Sequence, residues 1–158
     1  IAHITDGNNV YASPQRLRAF LDVLNENRIK IDEKLIIKIP GSDTREGYEA
    51  TQKLLALGNR PTAIFAYNDR MAFGAYEAIQ EAGLEVGKDI SVIGFDNQPH
   101  FAAALRPALT TVQLPHYEMG AWAAQRLLEQ FKNSEPTDSI QNQIDCALIV
   151  RDSVGPAR

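Results

Sequence analysis

Apolar positions along this chain fall into two alternating kinds of pattern. Short, nearly continuous apolar runs at 1–5, 35–39, 63–67, 90–95, 109–114 and 147–150 read as strands. The third and fourth, "AIFAY" and "ISVIGF", hold almost no polar residue. Strands covered on both faces by helices, as in a parallel sheet, read this way. Between these runs the apolar residues keep helical spacing. In "SPQRLRAFLDVLNENR", Leu17, Phe20, Leu21 and Leu24 recur at i, i+3, i+4 and i+7, with Ser13 as the expected N-cap and Pro14 at the first helical position. "DTREGYEATQKLLALG" is expected to start near Asp43 or Thr44, to pack Tyr48, Leu54, Leu55 and Leu57, and to stop at Gly58. "NDRMAFGAYEAIQEAG" starts at Asn68 and Asp69, packs Met71, Ala72, Ala75 and Ile79, and stops at Gly83. "PHYEMGAWAAQRLLEQF" supplies a fourth helix with Met119, Trp122, Leu127 and Phe131. Strand and helix in alternation predict βαβ units, hence an α/β fold with a parallel sheet flanked by helices. The segment 132–143, "KNSEPTDSIQNQ", is polar and contains a proline, and is expected to be a linker loop.

Composition narrows the function classes. The 158 residues suffice for one domain with a real core, and 44% hydrophobic against 23% charged residues fits a soluble globular chain. A net charge of −4 is a poor balance for gripping phosphates, so nucleic acid is not expected to touch this chain directly. Cys146 is the single cysteine, which excludes an internal disulfide and makes a reducing compartment the default. No apolar run approaches the ~18 residues of a membrane span. The chain opens on "IAHIT" without an initiator Met, and is expected to be cut from something longer.

In an open parallel sheet, ligands bind beyond the carboxyl ends of the strands. The residues following the first four strands are "DGNN", "PGSD", "ND" and "DNQ", with Arg16 just behind the first. Arg, Asn and Asp together suit a polyol, because a carboxylate accepts from hydroxyls while Arg and an amide donate. Each residue also has a plain structural use. Asn68 and Asp69 suit helix capping, Asp96, Asp6 and Asn8 suit turns, and Arg16 suits an ion pair; Phe65, Phe95 and Trp122 suit the core. There is no HExxH, paired CxxC, GxSxG, GxGxxG or Walker A motif, and the three histidines stand apart. Neither a metal, nor a cofactor, nor an enzyme activity is therefore expected. Asp69 and Asp96 as an acid–base pair have no further support.

The stretch "RPTAIFAYNDRMAFGAYEAIQEAGLEVGKDISVIGFDNQ" resembles the effector-binding domain of the lac repressor (LacI/GalR) family of bacterial transcriptional regulators. The resemblance continues through "LRPALTTVQLPHYEMGAWAAQRLLE" to "CALIVRDSVGPA" and covers essentially the whole chain. It implies a periplasmic-binding-protein-like fold in which a small effector, a sugar or sugar derivative, sits between two lobes and controls operator binding allosterically. It implies that 1–104 and 145–158 form the second lobe, that 107–131 is a crossover strand and helix of the first lobe, and that 132–143 links back. The DNA-binding headpiece would precede Ile1, so DNA is a partner only through a segment outside this chain. By the same resemblance Arg16, Asn68 and Asp96 contact the effector, and the protein is a cytoplasmic homodimer without a membrane partner. The dimer face would use "DRMAFGAYEAIQEAG" and "PHFAAAL", with Met71, Tyr76 and Phe101 exposed. Two departures stand out: Ala19 replaces a frequent glycine, and Ser42 falls near a frequent ligand-stacking aromatic, whose part would pass to Tyr48, Tyr67 or the other lobe. Alone, the 109–114 strand and its helix are expected to pair with another copy, swap or detach. The alternative is a periplasmic sugar-binding protein of a transporter, which shares the fold; an enzyme on this fold is a third.

Overall fold

The computed structural model describes residues 1–8, 11–132 and 140–156. Six strands form one sheet: β1 (Ala2–Asp6), β2 (Ile36–Ile39), β3 (Ala63–Ala66), β4 (Ser91–Asp96), β5 (Thr110–Gln113) and β6 (Leu148–Ile149). Their order is β2-β1-β3-β4-β5-β6, parallel throughout except for β6, which runs antiparallel to β5. The helices are α1 (Ala12–Glu26), α2 (Thr44–Leu55), α3 (Asp69–Glu81), the short α4 (Pro99–Ala102) and α5 (His116–Lys132).

Strand periodicity sorts side chains onto two faces. Ala2 and Ile4 of β1, Ile64 and Ala66 of β3 and Val92 of β4 join the main core with Leu54 of α2 and Met71, Tyr76 and Ile79 of α3. The alternate positions meet α1. His3 stacks on Phe65 at 4.7 Å and lies 5.1 Å from Phe20, and Thr5 Oγ1 hydrogen-bonds Ser13 Oγ at 2.8 Å. Burial pushes His3 down to about 4, so it is a neutral ring whose Nδ1–H donates to the Phe65 carbonyl.

Helix α2 starts as expected. Asp43 accepts from its own first turn while Glu46 accepts from the Asp43 N–H, a capping box. It ends at Leu55, with Ala56 as its C-cap, two residues before Gly58. Helix α3 begins with Asn68 accepting from Met71 N–H at 2.8 Å and ends before Gly83, whose φ of 72° needs a glycine. The two helices approach at facing glycines. A Cβ on Gly47 would stand 2.1 Å from the Met71 carbonyl oxygen, and one on Gly74 1.9 Å from that of Thr44. This contact locks the starts of both helices together and brings Ser42 to Asn68.

Several expectations are corrected. Ser13 is not an N-cap: α1 begins at Ala12 after Tyr11, and Ser13 is buried, donating to the Asp6 carbonyl and pairing with Thr5. Its hydroxyl has better partners in β1 than in its own helix. The 109–114 strand, expected to pair with another copy, swap or detach, is built into this sheet. Thr110–Gln113 pairs in register with Ile93–Asp96 as the fifth strand of this sheet. Ser153 fixes it there: its Oγ accepts from Thr110 N–H and donates to the Val92 carbonyl, bridging the starts of β4 and β5. Met71 and Tyr76 are not exposed. Met71 is wholly buried, and Tyr76 is 1% exposed with its hydroxyl donating to the Pro107 carbonyl. Phe73 and Phe101, meeting edge-on at 5.8 Å, occupy the outer position instead. Among the described residues, α5 is the helix that departs from the sheet. None of its residues is buried, and Tyr117, Leu127, Leu128 and Phe131 are exposed. Trp122, expected in the core, is half-exposed on it. Most of the expected 132–143 linker, residues 133–139, lies outside the described residues.

Replacing Gly74 with Ala is expected to lower stability by about 1–3 kcal/mol or more, because the intruding carbon meets backbone rather than a movable side chain. Urea unfolding of Gly74→Ala beside the exposed control Gly120→Ala, which meets nothing, checks this. Equal midpoints would refute the close approach.

Candidate functional site

The strand order reverses between β1 and β3: α1 carries the chain outward to β2, and β3 returns on the opposite side of β1. Sheets of this kind open a crevice at that point, beyond the carboxyl ends of the strands. Arg16, from the start of α1, reaches across it. Its Nη1 donates to the Tyr67 carbonyl after β3, and its Nη2 stands 3.6 Å from Asp96 Oδ1 at the end of β4. The guanidinium lies 3.6 Å above the Phe95 ring and 4.6 Å from that of Tyr67. Phe95, expected in the core, is thus half-buried and forms the floor beneath Arg16.

Both charges are largely out of water, with side-chain exposures of 15% for Arg16 and 17% for Asp96. Burial pulls Arg16 below its ordinary range, opposed chiefly by the Asp96 charge. Burial likewise pushes Asp96 up, opposed first by Arg16 and then by the Gln98 side-chain amide. At 3.6 Å the pair is too long for a strong charged hydrogen bond. Each group has therefore lost more hydration than its partner returns.

Asp96 sits in an unusual turn. Its φ is 107° and that of Asn97 is 52°, conformations that side-chain-bearing residues rarely hold. Arg151 holds the turn from outside, donating through Nη2 to Asn97 Oδ1 at 2.8 Å and through Nη1 to the Leu109 carbonyl at 2.7 Å. Asp69 lies beneath it, accepting from Gln98 N–H at 2.7 Å and from Thr111 Oγ1 at 2.6 Å. Sequence reasoning did not single out Arg151, and it read Asp69 only as a helix cap or as half of an unsupported acid–base pair. Gly94, mid-strand in "IGFD", is the one available signal: a Cβ there would lie 2.3 Å from Asp69 Oδ1.

Asn68 is brought to the same end of the sheet but is 3% exposed and already engaged. Its oxygen caps α3 and its amide donates to the Ser42 carbonyl at 2.8 Å, leaving one amide hydrogen. Asp6 serves its turn, accepting from Asn8 and Gly41 N–H. Tyr48 points to α3, where its hydroxyl donates to Glu81, so it is no platform for a ligand in this crevice; Tyr67 already lies under Arg16. Among the described residues no group of His, Cys, Asp and Glu is placed to hold a metal ion. An apolar groove of about 370 Å³ opens at the other end of the strands, lined by Ile1, Ala63, Phe65, Ile93 and Val154 among others. Arg16 and Asp96 do not line it.

A family model described as a periplasmic binding protein-like domain matches residues 1–154. The chain is 40% identical over 144 residues to the "Probable HTH-type transcriptional repressor ExuR" of Bacillus subtilis (strain 168), covering 90% of this chain and 42% of that protein. It is 41% identical over 146 residues to the HTH-type transcriptional repressor PurR of Escherichia fergusonii, with the same coverage. The chain thus spans about two fifths of the length of these relatives. Among solved structures, the lac repressor dimer bound to operator and the anti-inducer ONPF superposes with a TM-score of 0.87 at 28% identity, over 98% of this chain and 52% of that one. The complex of the transcriptional regulator CelR with cellobiose gives 0.86 at 26%, over 96% and 46%.

Asp96→Gly is expected to be more stable than Asp96→Ala by about 1–3 kcal/mol, since both delete the carboxylate but only glycine accepts φ 107° freely. Denaturant midpoints of the two variants compare them directly. An alanine variant as stable as the glycine one would show that the turn is not held in this conformation.

Proposed function

This chain belongs to the periplasmic binding protein-like family, together with LacI-type transcriptional repressors, and on that premise we propose that it is the ligand-sensing part of such a regulator. The observation that carries the reading is the under-served Arg16–Asp96 pair in the strand-end crevice. A polyol meets both deficits at once: one hydroxyl donates to Asp96 while its oxygen, or a neighbour's, accepts from Arg16. The spare amide hydrogen of Asn68 adds a third contact. The effector class is accordingly a sugar or sugar derivative, in keeping with the cellobiose bound to CelR.

The rest of the mechanism follows from what this lobe leaves open. The exposed apolar side chains of α5 would pack on a first lobe that lies outside the chain, so that residues 1–113 and 145–156 form one lobe and α5 belongs to the other. The effector bridges the lobes and favours one orientation only by its difference in affinity between the two. Dimerisation through the Phe73–Phe101 face would pass that bias to DNA-binding segments, as in a cytoplasmic repressor. The relatives are repressors rather than enzymes or transport proteins, so the site is assigned to binding.

Thermal shifts of the full-length protein with mono- and disaccharides, pentoses, sugar phosphates and purines test this. A sugar at a hundredfold excess over its Kd stabilises by about 2.7 kcal/mol, which raises the Tm by a few degrees. The shift is expected to vanish in Asp96→Ala, measured against that variant's own Tm. A shift that persists in the variant, or one produced only by a purine, would refute the sugar site.

A further inference from the structure

The binding reading leaves one fully buried charge without a task. Asp69 is the first residue of α3, yet its carboxylate does not serve that helix. Oδ1 accepts from Thr111 Oγ1 of β5 at 2.6 Å, and Oδ2 accepts from the Gln98 backbone at 2.7 Å. Thr111 Oγ1 in turn accepts from the Asn97 N–H at 3.4 Å. Gly94 of β4 leaves the room the carboxylate occupies. One side chain therefore joins the start of α3, the turn that carries Asp96, and the strand that leads into α5.

We propose that Asp69 is a positioning residue for the ligand site: its buried carboxylate holds the left-handed Asp96–Asn97 turn against β5, which fixes where the Asp96 carboxylate stands. The inference rests on the reading of Asp96 as a ligand contact. A turn with two positive φ angles is not a conformation these residues choose alone, so something must over-determine it. Arg151 secures its outer side and Asp69 its inner one. A neutral amide at 69 could accept one of the two donors well but would meet the other with N–H, leaving a buried donor unanswered.

Ionisation gives the tie a signature. Burial pushes Asp69 up to about 6; the bonds from Thr111 and Gln98 oppose the rise, Asp96 adds to it and Arg151 lessens it. Because the folded value lies above the ordinary 3.8, this group favours the fold most below that pH, and its contribution is lost as pH rises through about 6. Above that, the ionised carboxylate accepts both donors. Arg16 of α1, Arg70 of α3 and His116 of α5 act on the neighbouring Asp96, and His100 of α4 stands two residues from Gln98.

The test is a pH series of amide NMR spectra in a His100→Gln, His116→Gln background, which removes both imidazoles near the turn. The Gln98, Asn97 and Thr111 amides are expected to titrate together with a midpoint near pH 6. Asp69→Asn should abolish that titration and change the φ-dependent couplings of Asp96 and Asn97. Thr111→Val, which keeps the carboxylate and removes a bond that favours its ionised form, should move the midpoint upward. If Asp69→Asn does not fold, the Thr111→Val midpoint decides. An unchanged Gln98 profile in Asp69→Asn, or an unmoved midpoint in Thr111→Val, would overturn the proposal. The spectra need no ligand, so failure of the effector reading would appear in the thermal shifts and not here.

Discussion

A charge taken out of water must be answered by donors, by an opposite charge, or by a ligand. Three charged side chains at the carboxyl ends of this sheet meet that requirement in different ways. Asp69 is bonded within the fold, by one hydroxyl and one backbone N–H that oppose its burial without cancelling it. Arg16 and Asp96 answer each other only in part, across 3.6 Å and over an aromatic floor. Asp69 bonds to the scaffold on both oxygens, whereas the Arg16–Asp96 pair faces the crevice, and we propose that a ligand bonds there.

The fold exists to hold that contrast. Reversal of the strand order sets α1 and Arg16 opposite the end of β4 and Asp96. The glycine contact between α2 and α3 fixes the start of α3, hence both Asn68 and Asp69. The C-terminal segment then closes the far side, with Ser153 tying β4 to β5 and Arg151 gripping Asn97. Strain in the turn is concentrated at the proposed ligand site, a common exchange of stability for geometry.

Much of this was legible from residue order. Continuous apolar runs marked the parallel strands, and "ND" and "GFD" marked two ends of the crevice, because strand-terminal polar residues in such sheets face ligands. What stayed hidden depended on partners distant in the chain. Ser13 has the composition of a cap, but Thr5 and the Asp6 carbonyl compete for its hydroxyl. The 109–114 run looked detached between its prolines; only Ser153, 43 residues away, shows why it stays in the sheet. Met71 and Tyr76 follow a helical pattern that names a face without saying what covers it, and the sheet and the 107 carbonyl take them. Asp69 reads as one more capping aspartate until Thr111 is seen above it.

We propose that an effector hydroxyl bonds both members of the Arg16–Asp96 pair. A crystal structure of the full-length protein with a compound that raises its Tm measures this most directly. Ligand hydroxyls are expected within hydrogen-bonding distance of Asp96 Oδ1 and Arg16 Nη2, with the Asp96–Asn97 turn unmoved against Asp69. A ligand bound elsewhere, with Arg16 still facing Asp96 at 3.6 Å, would contradict it.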